Sequence, residues 1–325
     1  MLIFLLKRTL QAVIVMLVIS VVAFAIQDNL GDPLRELVGQ SVSAAEREML
    51  RDEMGLNDPF IEKYGRFLKN ALHGDLGNSY FFKRPALDVI IDKLGPTLEL
   101  VFGATVIIVV FSIPLGVYTA IHPNTTFTKI VMALSSIGIS IPVFLTAIML
   151  TYIFAIQLGW LPSFGRGEPG QFAGIESAYF SVDGLRHLIL PCIALSSIML
   201  PLFIRLVRSE MLEVLSSEYI KFAKAKGLAL NRIYYQHALK NTMLPVLTVG
   251  GVQIGTMVAY TILTERVFQW PGMGFLFLEA VNRVDTPLIT AYVIFVGFIF
   301  VVTNTLVDLL YGLINPTVNL TGKGA

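Results

Sequence analysis

The chain is poor in charged residues and nearly devoid of cysteine. Only 14% of its 325 residues are charged, whereas 55% are hydrophobic, and the mean hydropathy is +0.72. An average soluble domain carries about 25% charged residues, so this composition excludes an ordinary soluble protein. The single cysteine, Cys192, excludes an intrachain disulfide, and its place beside Pro191 in an apolar run predicts a small buried residue.

Several motifs of catalysis and ligand binding are also missing. The sequence has no Gly-x4-Gly-Lys-Ser/Thr phosphate loop, so we expect no productive ATP binding by this chain alone. Neither His-Glu-x2-His nor Gly-x-Ser-x-Gly occurs, which leaves an intramembrane enzyme without a motif. The four histidines are far apart in the sequence, and we expect no metal site, no bound cofactor and no catalytic residue.

Six apolar stretches are each long enough to cross a bilayer, which takes about 20 residues in a helix. The first follows Lys7 and Arg8, but its apolar run is longer than that of a signal peptide and lacks a small-x-small cleavage pattern, so we expect a retained anchor. The chain is therefore predicted to be an all-α membrane protein, divided into 1–96 and a five-helix core over 97–325. The predicted spans are Thr9–Gln27, Thr97–Ile121, Ile130–Leu158, Leu188–Leu206, Met243–Thr264 and Leu288–Leu310.

Basic residues are distributed unevenly among the loops. The long segment Asp28–Pro96 is not counted, because long segments translocate largely regardless of charge. The other loops on one side carry only Arg166, Arg186, Arg266 and Arg283. The opposite side carries more Lys and Arg, and cytoplasmic loops have an excess of these residues. Both termini are on that side and are therefore predicted to lie in the cytoplasm. Its basic residues are Lys7, Arg8, Lys129, Arg205, Arg208, Lys221, Lys224, Lys226, Arg232, Lys240 and Lys323.

The segment Asp28–Pro96 has the composition of an ordered element and not of a floppy linker. A predicted helix over Ser43–Met54 opens with a capping box, in which Glu46 follows its first serine by three residues. A second helix is predicted over Phe60–Leu72. We expect this segment to be ordered on the outer side of the membrane.

Two prolines lie within predicted spans, Pro114 in the second and Pro142 in the third. Each removes a backbone hydrogen bond, and in a bilayer such a break persists only where protein or water satisfies the backbone. Two interpretations stay open, a kinked helix that lines a pore and an ordinary packing irregularity. Farther along, Trp270 suits a membrane interface, and a short interfacial helix is predicted near Gly274–Asn282.

A basic, polar loop at about residues 208–242 separates the fourth and fifth spans. In a helix, Tyr219, Ala223 and Gly227 share one face with little bulk beyond the aromatic ring, so another surface can approach the backbone there. Glu218 lies at the start of this helix, where negative charge is favoured, and Gly227 can end it with a positive φ. On the lysines alone, a solvated face attracted to anionic lipid is the simpler interpretation.

The spacing within this loop is more specific than its charge. It reads Glu-Tyr-x3-Ala-x-Ala-Lys-Gly-Leu from Glu218, followed by Ile233, His237-Ala-Leu and Asn241. This pattern resembles the cytoplasmic coupling loop of binding-protein-dependent ABC importer permeases, in the dipeptide, oligopeptide and nickel family. One departure is Lys221-Phe222-Ala223, where that family usually carries Arg-Thr-Ala.

The resemblance runs almost end to end. Further strings that carry it are Gly-Asp-Leu-Gly-Asn-Ser from Gly74 and Thr-Glu-Arg-Val-Phe-Gln-Trp-Pro-Gly-Met-Gly-Phe from Thr264. It implies the type I ABC importer transmembrane fold, in a bacterial or archaeal cytoplasmic membrane. By this resemblance, the residues that couple to the ATPase are Glu218, Tyr219, Ala223, Ala225, Lys226, Gly227 and His237.

The same resemblance implies partners and cargo. The partners are a second homologous permease, two cytoplasmic ATPase subunits that bind ATP and Mg, and an extracytoplasmic substrate-binding protein, with membrane lipid around the helices and no nucleic acid. The implied cargo is di- or oligopeptides, with nickel chelates, glutathione and oligosaccharides as alternatives. The rival class is a stand-alone secondary transporter or channel, for which the loop at 208–242 would have no use.

Overall fold

The computed structural model of the chain describes residues 2–29, 44–53 and 57–314, and these are mainly helical. Five helices are long and apolar enough to cross a membrane, and a bent pair of shorter helices makes a sixth crossing when it is counted as one span. Every predicted span overlaps one of these elements, which confirms an all-α membrane protein. The crossing candidates are Arg8–Asp28, Ala86–Ile121, Val182–Ser216, Leu230–Phe268, Thr286–Val307 and the pair Thr126–Ser140 with Val143–Gln157.

We number the elements in chain order. The helices are α1 (Leu2–Asn29), α2 (Ala44–Glu53), α3 (Phe60–Ala71), α4 (Ala86–Ile121), α5 (Thr126–Ser140), α6 (Val143–Gln157), α7 (Val182–Ser216), α8 (Glu218–Ala225), α9 (Leu230–Phe268), α10 (Met273–Asn282) and α11 (Thr286–Ile314). A hairpin of β1 (Gly170–Phe172) and β2 (Ile175–Ser177) lies between α6 and α7. The predicted short helix near Gly274–Asn282 is α10.

The third predicted span is broken at Pro142. Helices α5 and α6 meet there at a bend of 109°, so Pro142 does not kink a helix interior but precedes a new helix as its N-cap residue. Ile141 has φ −90° and ψ 122°, the extended conformation that a following proline imposes by clashing with the helical one. Pro114, in contrast, lies inside the continuous helix α4.

The chain forms two compact units, one of residues 1–95 with 271–302 and the other of residues 96–270 with 303–325. In the first unit, α3 packs against the end of α1 through aromatic rings. The Phe24 ring lies 5.1 Å from that of Phe67 and 5.6 Å from that of Phe60, measured between centroids. The two helices predicted after the first span, Ser43–Met54 and Phe60–Leu72, correspond to α2 and α3, whereas the order of the whole segment on the outer side stays a prediction. The capping box at Ser43 lies outside the described residues, and the division of the chain at residue 96 stays a prediction.

The buried carboxylate of Asp285 joins two parts of the first unit. It accepts hydrogen bonds from the Ser79 hydroxyl and from the backbone N–H groups of Tyr80 and Phe81. It also accepts from the N–H of Leu288 at 3.4 Å, in the first turn of α11, where a negative charge is favourable. The Gly-Asp-Leu-Gly-Asn-Ser string therefore ends in a turn built around this carboxylate.

Helix α7 is central to the second unit and packs against α5, α6 and α9. A small buried cluster holds α6, α7 and α9 together, made of Ala147, Leu190, Ala194 and Phe268. Helices α4 and α7 approach closely at Gly116, where an added Cβ would lie 2.6 Å from the Val207 side chain. A side chain at this glycine would force the two helices apart.

Candidate coupling surface

The loop predicted as a coupling element folds into the short helix α8 and the first turns of α9. Ser217 separates α8 from α7 in an extended conformation. Gly227 ends α8 with φ +76°, as expected from the sequence. Its N–H donates to the Lys224 carbonyl at 2.9 Å, and the Leu228 N–H donates to the Ala223 carbonyl at 3.3 Å. These two bonds are a Schellman motif, which satisfies carbonyls that the helix end leaves without partners.

The small face of α8 is turned toward the chain itself. Ile220 is fully buried and Ala223 is only 8% exposed, on a helix that packs against α7 and the π-helical start of α9. Ala223 therefore packs against this chain, and its role as a residue that couples to an ATPase stays a prediction. The surface that approaches the small side chain belongs to this chain, because Ile233 and Ala238 of α9 are buried with it.

The opposite face of this region exposes apolar and basic side chains, which we call the coupling surface. It comprises Phe222, Lys224, Ala225, Lys226, Leu230 and Tyr235, all exposed. The Phe222 side chain is 62% exposed, and the Lys226 ammonium lies 4.6 Å from its ring centroid. Beside it, Lys221 pairs with Glu218 at 2.8 Å. Aromatic side chains are enriched at protein interfaces, and an exposed apolar patch often marks one.

Tyr219 and His237 lie between the two faces. The Tyr219 hydroxyl donates to the His237 carbonyl at 3.2 Å and accepts a hydrogen bond from the Asn241 side chain at 2.7 Å. The Nε2 atom of His237 is buried, and no hydrogen-bond partner for it occurs among the described residues. The sequence identified both residues but not the hydrogen bonds that join them, since these depend on how α8 folds back on α9.

A buried ion pair organises the loop between α6 and α7, on the predicted outer side. The Arg166 guanidinium donates to both carboxylate oxygens of Glu99, at 2.7 and 3.0 Å, and also pairs with Glu176 on β2. Glu99 accepts a third hydrogen bond from the Ala178 N–H, and the Tyr179 hydroxyl donates to the Glu99 carbonyl. Burial disfavours the charged guanidinium, but the hydrogen bonds and charge of the two glutamates outweigh it and raise the pKa of Arg166.

Trp270 is fully buried, which corrects the expectation of a ring at the membrane interface. Its indole N–H donates to the Pro96 carbonyl at 2.8 Å, and nearby the Thr97 hydroxyl donates to the buried Glu265 carboxylate at 2.7 Å. An indole N–H inside a protein needs such an acceptor. Pro96 supplies a carbonyl within α4, far from Trp270 in the sequence.

An apolar cavity of about 390 Å³ lies between α4, α7, α9 and α11. Ile113, next to Pro114, is among its lining residues, together with Thr105, Ser112 and Gln253. The cavity places the α4 proline near an internal space of the second unit. The pore role suggested for Pro114 and Pro142 stays a prediction.

Comparison with known proteins identifies the family. Residues 112–320 match the family described as binding-protein-dependent transport system inner membrane component, and residues 1–101 match the N-terminal family of the same membrane components. The chain belongs to this family of binding-protein-dependent transport permeases. The resemblance inferred from the coupling loop is thereby confirmed.

Three relatives align over nearly their whole length. The dipeptide transport system permease protein DppB of Alkalihalophilus pseudofirmus is 37% identical over 331 residues, covering 98% of this chain and 99% of its own. The glutathione transport system permease protein GsiC of Escherichia coli is 32% identical, with 98% and 99% covered. The oligopeptide transport system permease protein AppB of Bacillus subtilis is 32% identical, with 97% and 98% covered.

Proposed function

We propose that this chain forms half of the translocation path of an ATP-driven importer for di- or oligopeptides. Support for the cargo comes from relatives named for dipeptide, oligopeptide and glutathione transport. Glutathione is itself a peptide, so one chemical class covers all three names. Nickel chelates and oligosaccharides are the alternative cargoes. The second half of the path would come from a homologous permease subunit.

The coupling surface is the single observation that carries the ATP-driven mechanism. Two separate ATPase subunits would bind ATP and Mg, and this chain would be their non-catalytic partner. On the ATPase subunit, a groove with an apolar floor and an acidic rim would complement the coupling surface. Its floor would contact the exposed Phe222, Leu230 and Tyr235, and its rim would pair with the lysines beside them. ATP-driven closure then shifts the membrane helices only if the ATPase binds one arrangement of α8 better than the other.

The sidedness of the chain follows from the same assignment. With α8 in the cytoplasm, both termini are cytoplasmic, and the loop that holds Arg166 and the β hairpin lies outside. An extracytoplasmic substrate-binding protein would deliver cargo to that side. The asymmetry of Lys and Arg supports this orientation.

The substitution Phe222→Glu tests the coupling surface. A carboxylate would meet the acidic rim and would lose the apolar contact, so we expect the purified complex to lose ATPase subunits and the cells to lose uptake. The matched control is Ile61→Glu, which changes an exposed apolar residue of α3, 81% exposed. Equal ATPase content in both variants and the wild type would contradict this docking site.

A further inference from the structure

The backbone attaches α8 to its neighbours through two breaks. Ser217 is extended, with ψ 153°, and Gly227 has φ +76°. Neither residue continues a helix, so a displacement of α8 reaches the membrane helices mainly through side-chain contacts. The buried Ile220 and Ala223 provide apolar contacts, which are not directional and permit sliding.

The Tyr219 hydroxyl supplies the directional contact. It donates its proton to the His237 carbonyl at 3.2 Å and accepts a hydrogen bond from the Asn241 amide at 2.7 Å. Both partners lie at the start of α9, where Ile233–Ala238 is π-helical, a conformation that is frequent at functional sites. Because hydrogen bonds constrain angle as well as distance, this pair limits both the position and the rotation of α8 relative to α9.

We propose that the Tyr219 hydroxyl is a positioning group that makes α8 and the membrane-crossing helix α9 move together. This inference rests on the proposed function, in which an ATPase displaces α8. When α8 shifts, the hydroxyl pulls on the first turns of α9, and the shift enters the membrane along that helix. Without the hydroxyl, α8 still packs by its apolar face but slides against α9.

The test compares Tyr219→Phe with Tyr118→Phe in the complete complex of permeases, ATPases and binding protein. Both variants lose one hydroxyl, but Tyr118 is 38% exposed on α4, outside the coupling surface, whereas Tyr219 forms the connection to α9. Uptake of a radiolabelled dipeptide and ATP hydrolysis are measured in the same proteoliposomes. For Tyr219→Phe we expect unchanged ATPase content and hydrolysis, but about five- to tenfold less uptake per ATP, as the loss of two hydrogen bonds allows.

Asn241 provides a second series of variants. Asn241→Ala and Asn241→Asp should both lower uptake per ATP, because neither side chain can donate to the Tyr219 hydroxyl, whose one proton goes to the His237 carbonyl. Uptake per ATP in the double variant Tyr219→Phe/Asn241→Ala should be no lower than in Tyr219→Phe alone, because both substitutions break the same connection between α8 and α9.

Other results of these experiments would contradict either the positioning role of Tyr219 or the proposed function. Normal uptake per ATP in Tyr219→Phe, or loss of ATPase subunits from that variant, would overturn the positioning role. Independent, additive losses in the double variant would also overturn it. If the unsubstituted complex neither retains ATPase subunits nor uses ATP for uptake, the proposed function itself fails.

Discussion

Gly227 shows how a single backbone angle defines the coupling loop. Its φ of +76° ends α8, and an added Cβ would meet no atom within 4 Å. Any penalty for a side chain here therefore comes from the backbone conformation and not from crowding. The sequence predicted this feature because a Schellman turn depends on residues that are adjacent in the chain.

Substitutions at Gly227 should separate the effect of backbone strain from that of steric crowding. Gly227→Val should cost about 1–3 kcal/mol of local stability, because a β-branched residue is strongly disfavoured at positive φ. Gly227→Asn should cost less, since asparagine tolerates that region. Amide hydrogen exchange over 218–225 would show faster exchange in the valine variant. Equal exchange in both variants would exclude strain at this turn.

The ion pair of Arg166 with Glu99 was not predicted, because its members are 67 positions apart. Arg166→Ala leaves the Glu99 carboxylate buried without its cation, which typically costs about 3–5 kcal/mol. The matched control is Arg84→Ala, which breaks an ion pair whose side chains are 54% and 56% exposed and should cost less than about 1 kcal/mol. Thermal unfolding in detergent compares the two, and similar midpoints would contradict a stabilising role for the buried pair.

Among the helices, the features that depend on residues adjacent in the chain were predicted correctly from the sequence. The long apolar runs predicted the crossing helices, and the short helix α10 was also expected. Proline at position 142 indicated an irregular span, but the size of the bend depends on where α5 and α6 pack. The burial of Ala223 within the chain was not predicted for the same reason, since the helices that cover it adjoin α8 only in the fold. Trp270 was misplaced because its acceptor is 174 residues away.

The packing of α3 on α1 gives a prediction for the segment after the first span. Phe67→Ala removes the ring nearest to Phe24, and burial of such a ring is worth several kcal/mol in a core and less in a half-exposed contact. We expect faster amide exchange over 60–71 in this variant. Arg66→Ala, which removes an exposed ion pair with Asp58, is the control. Rapid exchange in the unsubstituted protein would contradict an ordered segment.

The orientation of the chain is open to a direct labelling experiment. In a Cys192→Ala background, cysteine is placed singly at Ile175, on the hairpin, or at Lys224, on α8, and both positions are exposed. An impermeant thiol reagent should label Ile175→Cys in intact cells and Lys224→Cys only after permeabilisation. Labelling of Lys224→Cys from outside would reverse the proposed topology.

ATP-dependent accumulation is the most direct test of the chain's place in an importer. Proteoliposomes that contain this chain together with the proposed partner permease and ATPase subunits should accumulate a labelled dipeptide only when ATP, Mg and the loaded binding protein are present. Omitting the ATPase subunits should abolish uptake, because this chain has no phosphate loop of its own. Accumulation without ATPase subunits, driven by an ion gradient alone, would contradict the account and identify a secondary transporter instead.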